Sequence, residues 1–387
     1  MTWGDEGEVE FEVEIEPVEC SMGRCPVVGT DLVLDPSGGV WLLGEMTTPG
    51  SVAGGDGAVG LGSTLARFDA DGTQSFGVVL VDSVSTFGGL ALQTSEPRVD
   101  ARGHLLLLAA VPGGAALELR DYDRDGRLVA ARRLVDGAQS GRAVIEVDGA
   151  LTLGFEWSDA GPPDGGAGSG RPPIAPRSLD VARFDPEGRL VWNHPVSRSL
   201  WGEATPLARG RLAAVDATQA YVMGTISSDV SPERALLAAI DHEGRTRWVL
   251  EQENVRILGA RARPGGGLLL GYPSTSPSSA RGAIVALTAD GSPEWTAGIP
   301  FSAEHRAVDD DGRVWGVQDY HPPIAWALSE DGKRCAGWPL AGTFCAPSSS
   351  EENAETCFSP VVRPASDGML YVTGGTTLSR VRMGGLP

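Results

Sequence analysis

The sequence predicts an all-β protein, a seven-bladed β-propeller with four antiparallel strands in each blade. Three observations predict it. Two short hairpin patterns alternate along the chain, and Gly and Pro account for 53 and 27 of the 387 residues. A glutamate-striped segment near the N-terminus also supplies the one strand that the last blade lacks. Many short strands joined by glycine-containing turns, in units of about 40–60 residues, are typical of a propeller.

The first pattern is an apolar residue, Asp, two variable residues and Gly, followed by an apolar run that ends in a small residue. Asp hydrogen-bonds the turn backbone and Gly adopts a positive φ at low cost, so each instance predicts a hairpin. Seven instances occur, some without the full turn motif, and their apolar runs end at Gly44, Ala109, Gly154, Gly224, Gly271, Gly316 and Gly374.

The second pattern has the same turn after an apolar-x-apolar segment and adds an aromatic residue after the glycine. It occurs six times, with turn glycines Gly72, Gly126, Gly188, Gly244, Gly291 and Gly332. Trp192, Trp248 and Trp295 each follow the turn glycine by four residues. An aromatic residue that recurs in register is expected to pack one blade on the next, and not to hold a cofactor.

Six blades therefore have both hairpins, whereas the seventh ends after three strands. Residues 8–16 read EVEFEVEIE and have no hairpin partner of their own, so we expect them to form the outer strand of blade seven. Val9, Phe11, Val13 and Ile15 would pack inward and the intervening glutamates would face solvent. Ring closure removes the apolar end of an open array, and the charges protect an exposed edge.

The expected organisation is one domain over residues 1–387. The closing strand is followed by seven blades, which span residues 28–81, 89–134, 141–195, 209–251, 256–298, 303–340 and 358–383.

The repeats resemble those of known bacterial propellers. The motif FDxxGxxxW, as in FDPEGRLVW, resembles quinoprotein-like and secreted delta-60-type repeats, and DxxGxVW is similar to NHL and two-component-regulator repeats. The resemblance covers nearly the whole chain from about residue 28. It implies the architecture and a bacterial protein, but no particular activity, because propellers carry many functions.

The charge of the chain restricts its partners. The net charge is -20 and the pI is about 4.6, so phosphate backbones are repelled and a nucleic-acid partner is not expected. No run of 18 apolar residues occurs, so we expect no membrane span. The protein is expected to be a monomer.

The five cysteines predict two local disulfides and one buried thiol. Cys20 lies near Cys25, Cys345 lies near Cys357, and Cys335 falls in a strand-like stretch. Disulfides would imply an oxidising compartment, whereas the spacing does not favour zinc. The N-terminus has no signal-peptide pattern, so either the protein is cytosolic or a signal segment is missing from this sequence. We expect a secreted, periplasmic or cell-surface protein.

The positions of the turns predict which face of the ring binds a ligand. All Asp-x-x-Gly turns should lie on one face of the ring, and nearly all long loops on the other, which is the expected binding face. Aromatic or polar residues there could stack on a sugar or clasp a peptide, or could pack the stems of their own loops. These candidates are Trp157, Trp201, Tyr272, Tyr320 and His321.

One hairpin matches half of a calcium-binding loop. Asp121, Asp123 and Asp125 have the spacing of the first three calcium ligands. Val129 and Arg132 occupy the positions of the remaining ligands, and the sister repeats are plain turns. Calcium is therefore the only cofactor considered, and the alternative is an ordinary turn.

Two hypotheses for function remain. The first is a non-catalytic binding or scaffold propeller that recognises a protein or a glycan through its long-loop face. The second is a secreted hydrolase or lyase with its active site at the mouth of the central channel, although no nucleophile elbow, P-loop or zincin motif occurs. Convergent carboxylates, histidines or arginines at that mouth would favour the enzyme.

Overall fold

The structure is a computed structural model, and its strands are numbered in chain order. It describes residues 2–3, 8–20, 23–25, 27–46, 62–82, 97–111, 116–138, 140–146, 149–158, 177–196, 209–228, 231–253, 257–273, 282–299, 305–318, 324–339, 345–347, 355–357, 361–374 and 376–383. Four strands precede the first blade: β1 (Thr2–Trp3), β2 (Glu8–Glu14), β3 (Val18–Cys20) and β4 (Gly23–Cys25).

The first three blades follow in order along the chain. Blade 1 contains β5 (Val27–Leu34), β6 (Val40–Met46), β7 (Gly62–Phe68) and β8 (Gln74–Asp82). Blade 2 contains β9 (Arg98–Val99), β10 (Leu105–Ala110), β11 (Ala116–Tyr122) and β12 (Leu128–Asp136). Blade 3 contains β13 (Ser140–Ile145), β14 (Leu151–Ser158), β15 (Arg177–Phe184) and β16 (Leu190–His194).

The next three blades have the same order. Blade 4 contains β17 (Arg209–Val215), β18 (Gln219–Ser228), β19 (Ser231–Asp241) and β20 (Thr246–Glu253). Blade 5 contains β21 (Gly259–Ala262), β22 (Leu268–Tyr272), β23 (Gly282–Leu287) and β24 (Pro293–Ile299). Blade 6 contains β25 (His305–Val308), β26 (Val314–Gln318), β27 (Ile324–Leu328) and β28 (Cys335–Pro339).

Blade 7 is assembled from both ends of the chain. A small hairpin, β29 (Cys345–Pro347) and β30 (Glu355–Cys357), precedes its three C-terminal strands, β31 (Val361–Pro364), β32 (Met369–Gly374) and β33 (Thr377–Arg382). Strand β2 pairs antiparallel with β33 and completes the sheet in the order β2-β33-β32-β31. The predicted seven-bladed, four-stranded ring closed by the N-terminal strand is therefore confirmed.

The apolar core is divided into seven layers, one between each pair of neighbouring blades. Trp41, Trp326 and Trp338 are among the largest fully buried side chains. Because each blade buries its faces only against two neighbours, the ring is stable only when all seven interfaces are made. Within the described residues, no helix is long and apolar enough to span a membrane.

The Asp-x-x-Gly turns form as their composition predicts. In the outer hairpin of blade 4, the Gly244 N–H donates to the Asp241 carbonyl at 2.9 Å, and Gly244 has a φ of 81°. The Asp241 carboxylate accepts hydrogen bonds from the N–H groups of Glu243 and Arg245 at 3.1 and 2.9 Å. A side chain that caps its own turn in this way fixes the register of the hairpin.

Aromatic rings join five of the seven outer strands to the next blade. Trp192 in blade 3 packs on Gly244 in blade 4, and its indole N–H donates to the His242 carbonyl at 2.7 Å. Trp248 repeats both contacts one blade further on, where its N–H donates to the Ala289 carbonyl at 2.9 Å. Among the described residues, an outer-strand ring covers a turn glycine of the next blade in five pairs, namely Phe11 with Gly72, Phe76 with Gly126, Trp192 with Gly244, Trp248 with Gly291 and Trp295 with Gly332.

These contacts explain why the turn residue must be glycine. A Cβ on Gly332 would lie 2.6 Å from the Trp295 ring, and one on Gly291 would lie 2.8 Å from Trp248. Any side chain would therefore displace the ring in addition to straining a positive φ. The tryptophans pack between blades, as the sequence predicts.

The closing strand provides the same contact for the last interface. Phe11 lies against Tyr371 with ring centroids 6.4 Å apart, and its ring covers Gly72 of blade 1. Phe11, Val13 and Ile15 pack inward as predicted, but Val9 is 37% exposed. A β-bulge between Val9 and Phe11 accounts for the difference, because it interrupts the alternation of the strand.

Two further contacts of the N-terminal segment go beyond the prediction. Glu10, at the bulge, pairs with Arg380 at 3.0 Å and with Arg382 at 2.6 Å. Strand β1 pairs in parallel with β28, so it adds a fifth strand to blade 6. The N-terminal segment thus joins the outer edges of blades 6 and 7.

The closing contact can be tested on a single strand. Replacing Phe11 by Ala removes the ring between Tyr371 and Gly72 and is expected to lower the free energy of unfolding by about 2–3 kcal/mol, since large-to-small changes leave a cavity. Val9→Ala, on the exposed part of the same strand, should cost less than about 0.5 kcal/mol. Urea unfolding of both variants measures the difference, and equal losses would contradict the role of Phe11.

Candidate functional site

The inner strands of the seven blades surround a central channel, whose mouth lies on the face that carries the Asp-x-x-Gly turns. A cavity of about 710 Å³ fills this mouth and is lined by residues of blades 2 to 6. Its volume is typical of ligand sites, which measure roughly 300–1,000 Å³. Eight of the lining residues are apolar, and the six charged ones are Arg98, Glu146, Asp216, Arg263, Asp309 and Asp310.

Asp216 is the most extensively bonded carboxylate at the mouth. It follows β17 and accepts hydrogen bonds from the Thr218 N–H at 2.7 Å, the Tyr221 hydroxyl at 2.5 Å and the Gly267 N–H at 3.1 Å. Burial alone would raise the pKa of Asp216, but these hydrogen bonds outweigh burial and hold the pKa below its usual value. Burial and the neighbouring carboxylate also raise the pKa of Tyr221. Both groups therefore keep one protonation state around neutral pH.

The other charged groups of the mouth are mostly compensated within their own blades. Glu146 pairs with Arg183, with an Nη2–Oε2 distance of 2.9 Å. Asp309 accepts from Arg313 Nε at 2.7 Å and from Trp315 Nε1 at 2.9 Å. The guanidinium of Arg263 pairs with the carboxylate of Glu294. These side chains are held as fixed charges and dipoles around the cavity.

A second cavity of about 310 Å³ continues the channel inward. It shares Pro97, Val215, Ala262 and Val308 with the mouth, so the two cavities are successive parts of one passage. Its lining consists of nine apolar residues and two arginines, Arg261 and Arg363, with no carboxylate. The rim of the passage therefore carries both acidic and basic side chains, most of them paired, whereas its interior is lined by apolar residues and arginines.

The inner strands carry an unusual excess of arginine. On the described inner strands β5, β9, β13, β17, β21, β25 and β31, the only acidic residue is Asp31. This excess contrasts with a net charge of -20 for the chain. The arginines of these strands are Arg98, Arg142, Arg209, Arg211, Arg261, Arg306 and Arg363.

Three of these arginines bridge neighbouring inner strands. Arg98 Nη1 donates to the Ile145 carbonyl at 3.2 Å, and Arg211 Nη2 lies 3.5 Å from the Leu258 carbonyl. Arg363 Nε donates to the Leu32 carbonyl at 3.0 Å, and its Nη2 pairs with Asp31 at 2.6 Å. In the part of the chain that the structure describes, neither Arg98 nor Arg211 has a carboxylate within ion-pair distance.

Arg211 and Arg261 stand on the inner strands β17 and β21 of neighbouring blades. Burial lowers the pKa of Arg211, and the positive charge of Arg261 lowers it further. Arg211 is exposed to solvent and lines neither of the two cavities. Arg261 and Arg363 place positive charge in the lining of the inner cavity, a confined and largely apolar space where electrostatic interactions are strong.

The candidate residues on the long-loop face are mostly beyond the described part of the chain. Trp201, Tyr320 and His321 lie outside the described residues, and of Trp157 only the backbone, in β14, is described. Tyr272 ends β22, packs on the apolar layer between blades 4 and 5, and donates its hydroxyl to Gln252 Oε1 at 2.9 Å. This packing corresponds to the structural alternative considered for Tyr272.

The half-matching calcium loop has other partners. Asp121 bonds His104 Nδ1 at 2.8 Å and Arg102 at 3.2 Å. Asp123 accepts from the N–H groups of its own turn, and Asp125 pairs with Arg127 at 3.3 Å. Within the described ranges, no three His, Cys, Asp or Glu side chains are grouped so that they could hold a metal ion.

The spacing of three channel arginines from the inner turns is a sequence signal for their position. Arg98, Arg261 and Arg363 each stand two residues before the first residue of an inner turn, namely Asp100, Arg263 and Ala365. From that position Arg98 and Arg363 reach backbone carbonyls of the next inner strand. A recurring arginine there, on otherwise apolar strands, could have indicated a cationic channel.

Comparison with known proteins shows the fold and no family. No protein-family model and no curated protein matches the sequence. The Dos1 propeller is similar over 98% of this chain and 96% of its own, with a TM-score of 0.51 and 10% identity. A Dyadobacter fermentans protein of unknown function covers 98% and 99%, with a TM-score of 0.49 and 11% identity.

A putative gluconolactonase is similar over 99% of this chain and 94% of its own, with a TM-score of 0.38 and 14% identity. At 10% identity, the similarity to the Dos1 propeller shows the β-propeller fold alone.

The buried hydrogen bonds of Asp216 predict a pH-dependent stability. Because the pKa of folded Asp216 lies below its usual value of 3.8, its stabilising effect is present above that pH and is lost as the pH falls through the folded pKa. Asp216→Asn should therefore cost about 1–3 kcal/mol at neutral pH and much less at pH about 2.

Urea unfolding at the two pH values measures this change. Asp310→Asn is the matched control, because Asp310 is exposed on the same rim, and it should stay within about 0.5 kcal/mol of the wild type at neutral pH. A loss for Asp216→Asn that is independent of pH would contradict the assignment.

Proposed function

We propose that the chain is a non-catalytic binding propeller that recognises a protein partner, with the mouth of the central channel as its ligand site. The observation that carries the proposal is the 710 Å³ cavity lined by five blades, because five of its six charged groups are fixed by hydrogen bonds within the scaffold. A rigid set of donors and acceptors on strand ends is suited to recognition, since little ordering is needed on binding.

The lining of the cavity favours a polypeptide over a glycan at this mouth. Its eight apolar residues are aliphatic or proline, and none of its lining residues is aromatic. Sugar sites commonly use aromatic rings, on which sugars stack. A glycan would instead need the aromatic residues assigned to the long-loop face, which is the second candidate surface for recognition.

The carboxylates and arginines at the mouth would, taken alone, favour a hydrolase or lyase. The ion pairs and hydrogen bonds around these carboxylates argue against catalysis. A general acid or base needs a pKa near the working pH, whereas Asp216 has a lowered pKa and Glu146 is tied to Arg183. The lining also contains no histidine, cysteine or serine that could act as a nucleophile or base. The binding function is therefore the better supported of the two.

A substitution that fills the channel mouth tests this proposal. Ala217 is an exposed turn residue that lines the cavity, so Ala217→Trp should block the mouth and weaken binding of any ligand at least about tenfold. Ala70→Trp, at the same turn position of an outer hairpin, is the matched control and should bind as the wild type does. Peptide and glycan arrays probed with the three proteins, followed by titration of the hits, provide the measurement.

Two outcomes would refute the proposed function. One is a ligand that is converted to product by the wild type. The other is a set of ligands whose binding is insensitive to Ala217→Trp, since these would bind elsewhere.

The proposed setting is secreted, periplasmic or at the cell surface, where disulfides persist. In its support, the register of β29 and β30 sets Cys345 directly opposite Cys357, and Cys20 and Cys25 share the hairpin of β3 and β4. Cys335 is a free cysteine, and burial raises the pKa of its thiol. We propose disulfides between Cys20 and Cys25 and between Cys345 and Cys357.

Thiol titration tests the two proposed disulfides and, with them, the proposed oxidising compartment. Denatured, unreduced protein isolated from an oxidising compartment should show a single reactive thiol, and peptide mapping should assign it to Cys335. Reduction should expose all five cysteines. Five reactive thiols before reduction, or a Cys335 that is part of a disulfide, would contradict the pairing.

A further inference from the structure

The outer edges of blades 2 to 4 expose apolar side chains. Among the described residues, six large apolar side chains are exposed, and all six stand on outer strands. An outer strand is also the edge of its sheet, where outward-facing backbone N–H and C=O groups can pair with a further strand. Five of the six side chains belong to blades 2, 3 and 4, namely Leu128, Val129, Leu190, Val191 and Val249.

The N-terminal segment covers an outer edge in each of blades 6, 7 and 1. Strand β1 pairs with β28, and β2 pairs with β33. Further along the segment, the Glu16 N–H donates to Gln74 Oε1 on β8 at 3.0 Å, and Val18 lies against Gly77 of the same strand. The described chain thus covers three of its own outer edges and leaves that of blade 2 open.

The outer strand of blade 2 combines apolar and positively charged side chains. On β12, Leu128 and Val129 are 50% and 55% exposed, and Arg132 and Arg133 follow them. Among the described outer strands, β12 is the only one with more basic than acidic residues. Because the net charge of the chain is -20, this edge is a local exception.

We propose that β12 is a docking edge for a partner protein, which adds an extended segment to it as a fifth strand of blade 2. The segment pairs antiparallel with β12. It places acidic residues opposite Arg132 and Arg133 and apolar residues opposite Leu128 and Val129. The edge lies on the circumference of the ring, so the inference goes beyond the proposed function at the channel mouth.

Both parts of this arrangement already occur within the chain. In blade 6, β1 is a fifth strand added to the outer edge. In blade 7, a glutamate-bearing strand pairs antiparallel with an arginine-bearing one, and Glu10 contacts Arg380 at 3.0 Å and Arg382 at 2.6 Å. Unlike charges on neighbouring strands stabilise a sheet, whereas like charges directly opposite each other destabilise it.

The two arginines can accept a new carboxylate without losing a buried partner. Arg132 donates through Nη1 to the Pro186 carbonyl of blade 3, and a guanidinium has five N–H donors. Arg133 pairs with Asp136, but the two side chains are 58% and 75% exposed, so this ion pair is weak. An acidic side chain on an added strand can therefore join both contacts.

Charge favours a partner protein over a second copy of this chain. Two copies would each bring a net charge of -20, and two paired β12 strands would bring four arginines to one interface. Both arrangements place like charges together. A strand that carries acidic and apolar residues instead complements the side chains that β12 presents.

Fluorescence anisotropy with labelled peptides and the full chain tests the edge. The probe is Ser-Glu-Glu-Thr-Thr-Val-Ile-Ser with blocked ends, whose antiparallel register sets its glutamates opposite the arginines of β12. Replacing both glutamates by lysine should weaken binding at least about tenfold, because attractive cross-strand pairs become repulsive. Replacing both threonines by proline should abolish binding, because one of two consecutive N–H groups must face β12 and proline has none.

Two pairs of matched variants locate the site on β12. Arg133→Glu should weaken binding of the probe at least about fivefold. Arg247→Glu, on the outer strand of blade 4, should bind as the wild type does, although the two arginines are 58% and 60% exposed. Val129→Lys should cost about threefold, and its control Val249→Lys nothing. All four are surface changes, so their thermal unfolding should match that of the wild type.

Hydrogen exchange distinguishes strand addition from contacts through side chains alone. Outward-facing N–H groups of β12 should exchange more slowly when the probe is bound, because they then donate to its carbonyl groups. The N–H groups of β20 should exchange as in the free protein. Binding of the probe without protection of β12 would contradict the added strand.

Several other outcomes would overturn the inference. They are equal binding of the glutamate and lysine peptides, unchanged binding by Arg133→Glu, and no binding of the probe at about 1 mM. A dimer of the wild type that Arg133→Glu dissociates, measured by sedimentation, would identify a second copy as the occupant and would also refute a partner protein. Ala217→Trp should leave binding at β12 unchanged, so the edge and the channel mouth can fail independently.

Discussion

The contact between an outer-strand aromatic ring and the turn glycine of the next blade is the interaction on which the ring depends. It recurs at five interfaces, and at each of them the glycine supplies both a positive φ and the space that the ring occupies. Because a blade buries its apolar faces only against its neighbours, this contact sets the spacing between blades.

The channel differs chemically from the outside of the protein. Outside, acidic residues cap their own turns and give the chain its negative charge. Inside, arginines face a passage whose inner cavity has no carboxylate in its lining. The rigid hairpins hold these charges in place, so a ligand would meet groups that are already oriented. This contrast is the reason that the ligand site is proposed at the channel.

The architecture could be predicted because its determinants are local. The Asp-x-x-Gly turns, the aromatic residue after the glycine and the unpaired strand at Glu8–Glu14 are each readable within about a dozen residues. The bulge that exposes Val9 and the parallel pairing of β1 with β28 have no such local signal. The channel arginines were missed for a related reason. Arg98 and Arg211 become neighbours of other blades only when the ring closes, so their role depends on contacts that a linear pattern does not contain.

The two paired strands β2 and β33 of blade 7 are far apart in the sequence. Strand β33 is translated more than 360 residues after strand β2. During that delay the strand has an open edge while six incomplete neighbours emerge. Charged side chains on an open strand disfavour pairing with other strands, so the alternating glutamates protect β2 until β33 is made. When β33 pairs with β2, Glu10 forms ion pairs with Arg380 and Arg382. Glu10 thus disfavours pairing with other strands before β33 is made and stabilises the correct pairing of β2 with β33 afterwards.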